Sequence, residues 1–289
     1  MIETALVTTL CAPFALGAAG IALAGHAKHI SPPGLLFHSI DTKHPLMMSA
    51  LSQTAFAAIV NRLKADGYRS IPINQASSLT DIPAGTGKKI LITFDDGFDN
   101  FYTQALPVLE ECNFKVALFP VAGYLGKIST WDVLPPFQHL SSKKLLAISD
   151  LGHEIGSHTM THADCTFLNK KDLFAELRDS KKLLEDIIAR PVTALSFPFG
   201  SWNRRIWEAA LEAGYSQAAI YRGHHHASPG LFPVHGVYRF DTPLSVCARI
   251  RSGFPLSLSS TLAVLMRQFA RGAPLWKFRK EYDVAPPAH

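Results

Sequence analysis

Asp95 and Asp96 stand side by side at the end of an apolar run, Ile90-Leu91-Ile92 and Phe94, with Gly97 directly behind them. An apolar run that short, bounded by lysines and a glycine, reads as a buried strand. Two carboxylates at its tip lose hydration, and an uncompensated buried charge is costly. A metal ion, or a proton shared with a substrate, removes that cost. A plain hairpin turn is the alternative, since Asp-Gly between hydrophobics is a strong turn signal. The TQALPVLEECNF that follows has a helical pattern, however, and not that of a returning strand. Further on, residues 151–162 read LGHEIGSHTMTH. His158 and His162 are four apart, so one turn of helix would put both imidazoles on one face. Such a pair chelates zinc or a similar divalent ion, with a carboxylate from elsewhere as third ligand. In a chain with thirteen histidines the spacing says little alone; beside an unexplained Asp-Asp pair it says much more. Three protein ligands with a position left for water make a hydrolytic centre.

Three stretches in order, Thr93-Phe94-Asp95-Asp96-Gly97, His158-Thr159-Met160-Thr161-His162 and Ser196-Phe197-Pro198-Phe199-Gly200, resemble successive motifs of the polysaccharide deacetylases, the NodB-homology family of carbohydrate esterases. The resemblance covers about Pro33 to Asp241. It implies an α/β fold, a distorted, incomplete (β/α)7 barrel, and removal of acetyl groups from an N-acetylated polysaccharide or glycan. The implied roles are Asp96, His158 and His162 as ligands of one divalent ion, zinc by preference, and Asp95 as general base. The Phe199 amide would donate to the oxyanion, from a turn framed by Pro198 and Gly200. An O-acetyl esterase, a non-sugar amide hydrolase of the same fold and a non-catalytic glycan-binding subunit of exopolysaccharide assembly are the competing readings.

Amide hydrolysis also needs a proton on the leaving nitrogen. Relatives draw it from a histidine in a Leu-x-x-His-like stretch near the domain end. Here no histidine lies between His235 and His289, so that motif is missing. The candidates are His235, the His224-His225-His226 run, His38, or Asp95 returning its proton. Trp131 is a candidate sugar platform, with packing inside its own loop as the alternative. His38 falls at the end of a strand candidate, Leu35-Leu36-Phe37, and in such barrels site groups sit at the carboxyl ends of strands.

The elements that must carry these groups alternate along the chain. Ser52 to Asp66 has Phe56, Ile59, Val60 and Leu63 at helical spacing, with Ser52 or Thr54 as cap and Gly67 as stop. Tyr68–Ile73, the run before Asp95, Lys115–Pro120, Glu154–Ser157, Val192–Phe197 and Ala218–Tyr221 read as strands, and Val237–Phe240 as the last. Helices fall near Ala105–Glu111, after Ser141-Ser142, over Asp172–Ala189 and over Ile206–Ala213. The third of these shows a stripe of Leu173, Leu177, Leu184 and Ile188, an outer barrel helix with no further role.

At 289 residues, one such domain with appendages is the natural size. The net charge of +5 comes from scattered basic residues without a dense block, which argues against nucleic acid. Cys11, Cys112, Cys165 and Cys247 have no C-x-x-C spacing; they neither demand a disulfide framework nor form a zinc knuckle. The expected divisions are residues 1–32, an apolar segment; 33–241, the barrel; and 242–289, a C-terminal extension. Ala5 to Ala24 is uncharged, and three readings stand: a membrane-associated helix, a signal cleaved after Ala22-Leu23-Ala24, or a helix packed on the barrel. Leu262 to Arg271 reads as a basic amphipathic helix. Cell-envelope or membrane-associated work is the expectation, with the cytoplasm as alternative.

Overall fold

The computed structural model describes residues 32–42, 47–76, 88–129, 137–221 and 229–252. Within them seven parallel strands form the barrel ring: β1 Gly34–Phe37, β2 Lys88–Phe94, β3 Ala117–Leu118, β4 Glu154–Ile155, β5 Ala194–Ser196, β6 Gln217–Tyr221 and β7 Leu231–Gly236. They neighbour one another in chain order, and β7 returns to β1, with Leu35 opposite His235 on one side and Ile92 on the other. Between β4 and β5 the ring meets through a single residue. Ser157 N donates to Ala194 O at 3.0 Å, and Ser196 N to Ser157 O at 2.9 Å. The barrel is therefore nearly closed, joined by one bridge. Gly156, just before that bridge, is a glycine for space: a Cβ there would stand 2.3 Å from the Phe119 ring.

Strand alternation sorts the apolar residues into two layers. Leu36, Leu91, Ala117, Phe119, Ala194, Ala219, Phe232 and Val234 form the barrel interior. Leu35, Phe37, Ile90, Ile92 and Phe94 face the helices instead. Strands buried on both faces read as continuous apolar runs, which is why Leu35–Phe37 and Ile90–Phe94 lack a polar alternation. The short helix Ile73–Ala76 contributes Ile73 and Ala76 to the interior layer. Glu154 Oε2 holds it by accepting from Ile73 N at 2.6 Å and Asn74 N at 3.2 Å.

The helices are α1 Gln53–Ala65, α2 Leu106–Cys112, α3 Ser142–Asp150, α4 Lys170–Ile188, α5 Arg204–Glu212 and α6 Pro243–Ser252. Side-chain caps set their starts: Ser52 accepts from Ala55 N, Ser141 from Lys144 N, Asn169 from Asp172 N and Asn203 from Ile206 N. The stripe on α4 is buried as its spacing predicts, with Ser180 added to it. Ahead of α2, Phe101–Ala105 is a π turn in which Leu106 N reaches back to Phe101 O. Pro107 accounts for this, since it has no N–H and its ring crowds the carbonyl four residues back.

One expectation fails here. Val237–Phe240 is not a strand; the strand ends at Gly236 and the chain turns away. The packed body also continues past Asp241, because α6 buries Val246, Cys247 and Ile250. Arg249, buried, donates from Nη1 to Gly236 O at 2.6 Å and pairs through Nη2 with Asp241. Among the described residues no helix is long and apolar enough to cross a membrane. Ala5–Ala24 and Leu262–Arg271 lie outside them.

Candidate metal centre

At the carboxyl end of β2 the chain turns through two left-handed residues, Asp96 at φ 68° and Gly97 at φ 71°. Only glycine fits at 97, where a Cβ would meet Pro120 at 2.6 Å. The turn is no hairpin: it delivers the chain to the π turn and α2, and the rest of its motif serves as clamps. Asn100 Nδ2 donates to Ser39 Oγ at 2.6 Å, and Asp99 pairs with Lys144 at 2.6 Å.

Asp96 Oδ1 lies 3.6 Å from His158 Nε2 and 3.4 Å from His162 Nε2, and all three residues are buried. Donors about 2.0–2.1 Å from a tetrahedral zinc are about 3.4 Å apart, so the spacing fits a single ion. Their chemistry fits as well. His158 Nδ1 is 2.9 Å from the carbonyl of Ser196; a carbonyl only accepts, so Nδ1 carries the proton and Nε2 offers its lone pair toward Asp96. Burial, followed by the charge of His162, holds the His158 ring down at about 3, a neutral ligand. Burial pushes the Asp96 carboxyl up, but the hydrogen bond from His162 and the charges of His38, His162 and His158 outweigh it, leaving the acid well below its usual range.

The two histidines do not meet on a helix. Residues 158–162 form a loop in which Thr159 and His162 take φ of 65° and 64°. Their convergence comes from these two left-handed residues and from what holds the loop. Glu176 on α4 accepts from Met160 N and Thr161 N, each at 2.9 Å, on Oε2, and from Thr161 Oγ1 at 2.6 Å on Oε1. One helical turn along, Ser180 Oγ meets Ser157 Oγ at 2.9 Å, and Ser157 Oγ accepts from Thr159 N at 3.2 Å. Helix α4 thus has a role beyond covering the barrel.

Asp95 stands beside this cluster. Its Oδ2 accepts from Ser196 Oγ at 2.8 Å and lies 4.0 Å from His158 Nε2; its Oδ1 is buried with no partner. Burial and the adjacent Asp96 charge push its carboxyl well above the ordinary value, with the Ser196 hydroxyl opposing. Ser196 therefore serves two groups, His158 through its carbonyl and Asp95 through its hydroxyl. Sequence reading assigned it no role. Its interior-facing place on β5, on the parity of Ala194, was the available signal.

The 198–200 turn abuts the same cluster, since the Phe199 and His162 rings are 4.8 Å apart. Phe199 is left-handed at φ 58° and Gly200 at φ 60°, with Pro198 buried beneath. The turn closes from Gly200 N to Phe197 O and from Ser201 N to Pro198 O, bonds that do not use the Phe199 amide. His38, at the end of β1, is close enough for the Asp96 charge to act on it; burial lowers its pKa, and its Nδ1 has no partner. His139, not foreseen, is buried with Nδ1 3.0 Å from Asp96 O, where it fixes the strained turn.

His235 is not at this site. It pairs in register with Leu35, on the helix-facing parity between the interior Val234 and Gly236. Leu35 is level with Ile92, three residues short of Asp95, about 10 Å down the strand. Its position in sequence suggested a site rim because the last strand was placed after it. Trp131 and His224–His226 lie outside the described residues.

Residues 83–218 match the model of the polysaccharide deacetylase family. The chain is 28% identical over 207 residues to YxkH of Bacillus subtilis (strain 168), a protein named for that family, covering 71% of this chain and 70% of that one. It is 32% identical over 149 residues to the peptidoglycan-N-acetylglucosamine deacetylase of Bacillus cereus, covering 50% of this chain and 63% of the relative. The Streptococcus pyogenes deacetylase PplD, solved in complex with acetate, shares the fold with a TM-score of 0.67 at 20% identity, covering 76% of this chain and 97% of that chain. With the barrel, the three converging motifs and these matches together, residues 83–218 are identified as a polysaccharide deacetylase (NodB-homology) domain, of the hydrolase class.

Proposed function

We propose that this protein removes acetyl groups from an N-acetylated polysaccharide or oligosaccharide by metal-assisted hydrolysis. The observation that carries the reading is the convergence of Asp96, His158 and His162 beside an unpartnered buried oxygen of Asp95. Two imidazoles and a carboxylate suit zinc. The ion would acidify a water, from a pKa of 15.7 to about 7, and offset negative charge developing on the acetyl oxygen.

The chain's own groups do the rest. Asp95 Oδ1 takes the proton of the attacking water, while Ser196 Oγ keeps the carboxylate aimed. The Phe199 amide, left out of its turn's hydrogen bonds, donates to the acetyl oxygen as charge builds there. Asp95 then returns the proton to the leaving nitrogen, and the unpartnered Nδ1 of His38 hydrogen-bonds that nitrogen as it departs. Pro198 and Gly200 hold the turn in shape. Work at the cell envelope belongs to the same proposal, supported by the apolar stretch Ala5–Ala24 and by the polymer named for the Bacillus cereus relative.

The test is acetate release from N-acetylated oligosaccharides and their O-acetylated counterparts, with and without chelator. Chelator-sensitive release from the amide is expected; release from the ester alone would overturn N-deacetylation. His38→Ala should cut amide turnover far more than ester turnover, because an amine leaves much less readily than an alcohol. Equal loss on both substrates would remove His38 from the leaving-group side.

A further inference from the structure

We propose that Glu176 is a positioning residue that sets how tightly the centre grips its metal, although it touches neither the ion nor substrate; the inference rests on the metal reading above. The His158–His162 loop has no helix or strand to fix it. Two of its five residues, Thr159 and His162, are in the left-handed region, which is unfavourable for an L-residue. Backbone bonds from Ala122 N to Thr159 O and from Gly123 N to Met160 O hold two of its carbonyls. Glu176 holds its amide side with three hydrogen bonds to residues lying between the ligands. Met160 N and Thr161 N donate to one oxygen and Thr161 Oγ1 to the other. Charge-assisted bonds of this kind are stronger than neutral ones.

The anchor is itself rigid. Glu176 is carried on α4, a nineteen-residue helix whose Leu173, Leu177, Leu184 and Ile188 are buried. Ser180, one turn later, grips the start of the same loop through Ser157, and the Tyr215 hydroxyl lies 3.2 Å from Ser180 Oγ. Besides its backbone bonds to residues 120–123, the loop is tied by side chains at Thr159 through Ser157, and at Met160 and Thr161 through Glu176. Glu176 is the one of these whose removal frees two backbone donors at once. Indirect partners of metal ligands commonly matter by about 10–100-fold in affinity.

The experiment compares wild-type protein with Glu176→Ala, Glu176→Gln and Thr161→Val, measuring Zn²⁺ and Co²⁺ affinity by competition with a chromophoric chelator. Turnover at saturating metal and the melting temperature of the chelated protein are followed alongside. Glu176→Ala should bind Zn²⁺ about 10–100-fold more weakly. Glu176→Gln, whose oxygen can still accept both amides, should recover most of that. Thr161→Val, which loses only the hydroxyl bond, should fall in between and guards against a poorly folded Ala variant. Unchanged Zn²⁺ affinity in both Glu176→Ala and Thr161→Val, with only the melting temperature lowered, would overturn the inference and leave Glu176 a stabilising residue. Wild-type protein that bound neither ion would sink the metal reading itself, and this inference with it.

Discussion

Asp95 keeps one oxygen on the Ser196 hydroxyl and the other unpartnered, whereas Asp96 turns a single oxygen to both histidines, so neutralising each acid should have different consequences. Asp95→Asn should hold its metal and lose about 10²–10⁴ of turnover, the usual cost of a missing general base. Asp96→Asn should lose metal and turnover together. Elemental analysis beside an acetate-release assay reads both quantities, and equal metal depletion in the two variants would show that the acids share one role. These residues were legible in the sequence because their types are costly to bury without a use. Ser196, His139 and Glu176 were not. Serine, histidine and glutamate are common, and the work of these three depends on partners 38 to 101, 43 and 15 to 16 residues away in the chain. Their roles appear only when the fold brings those partners near.

At the scale of elements, periodicity and caps did most of the work. Ser52, Ser141, Asn169 and Asn203 begin their helices because each side-chain oxygen meets an amide that the helix leaves unsatisfied. Where a local rule met a longer-range demand, the local rule lost. His-x-x-x-His suggested a helical turn, but the loop must leave β4 and reach toward Asp96, and left-handed residues do that. The connection below the barrel offers a pH test. Burial pushes Glu154 up to about 7, with the Asn74 and Ile73 amides opposing. A carboxyl raised in the fold contributes stability below its unfolded value near 4.5, and that contribution is lost as pH rises through about 7. Glu154→Gln keeps an oxygen for the two amides and has nothing to ionise. Relative to wild type it should therefore gain stability between pH 5 and pH 8, by at most about 3 kcal/mol. Urea unfolding at the two pH values checks this; a difference that did not change with pH would refute it.

Considered whole, the parallel barrel was legible from alternating strand and helix patterns together with the three motifs, while its end was not. Nothing in the sequence near Pro243 marks α6 as part of the body, because its attachment is a buried ion pair between Arg249 and Asp241 plus a carbonyl on β7. Removing one partner of such a pair leaves the other charge buried, at about 3–5 kcal/mol. Arg249→Leu should lower stability by about that much, and adding Asp241→Asn should restore part of it, both read by denaturant unfolding; additive losses would contradict the pairing. The single-residue join at Ser157 has a wider consequence. A ring fastened at one point has a predetermined place to part, and here the fastening lies one residue before His158. His158 also crosses the gap by its bond to the Ser196 carbonyl, so an ion that steadies its ring acts as a clasp on the staves. Stripping the metal should therefore speed hydrogen exchange at the Ser157 and Ser196 amides well before those of β1, β6 and β7. The protein would come apart first at the place where it does its chemistry.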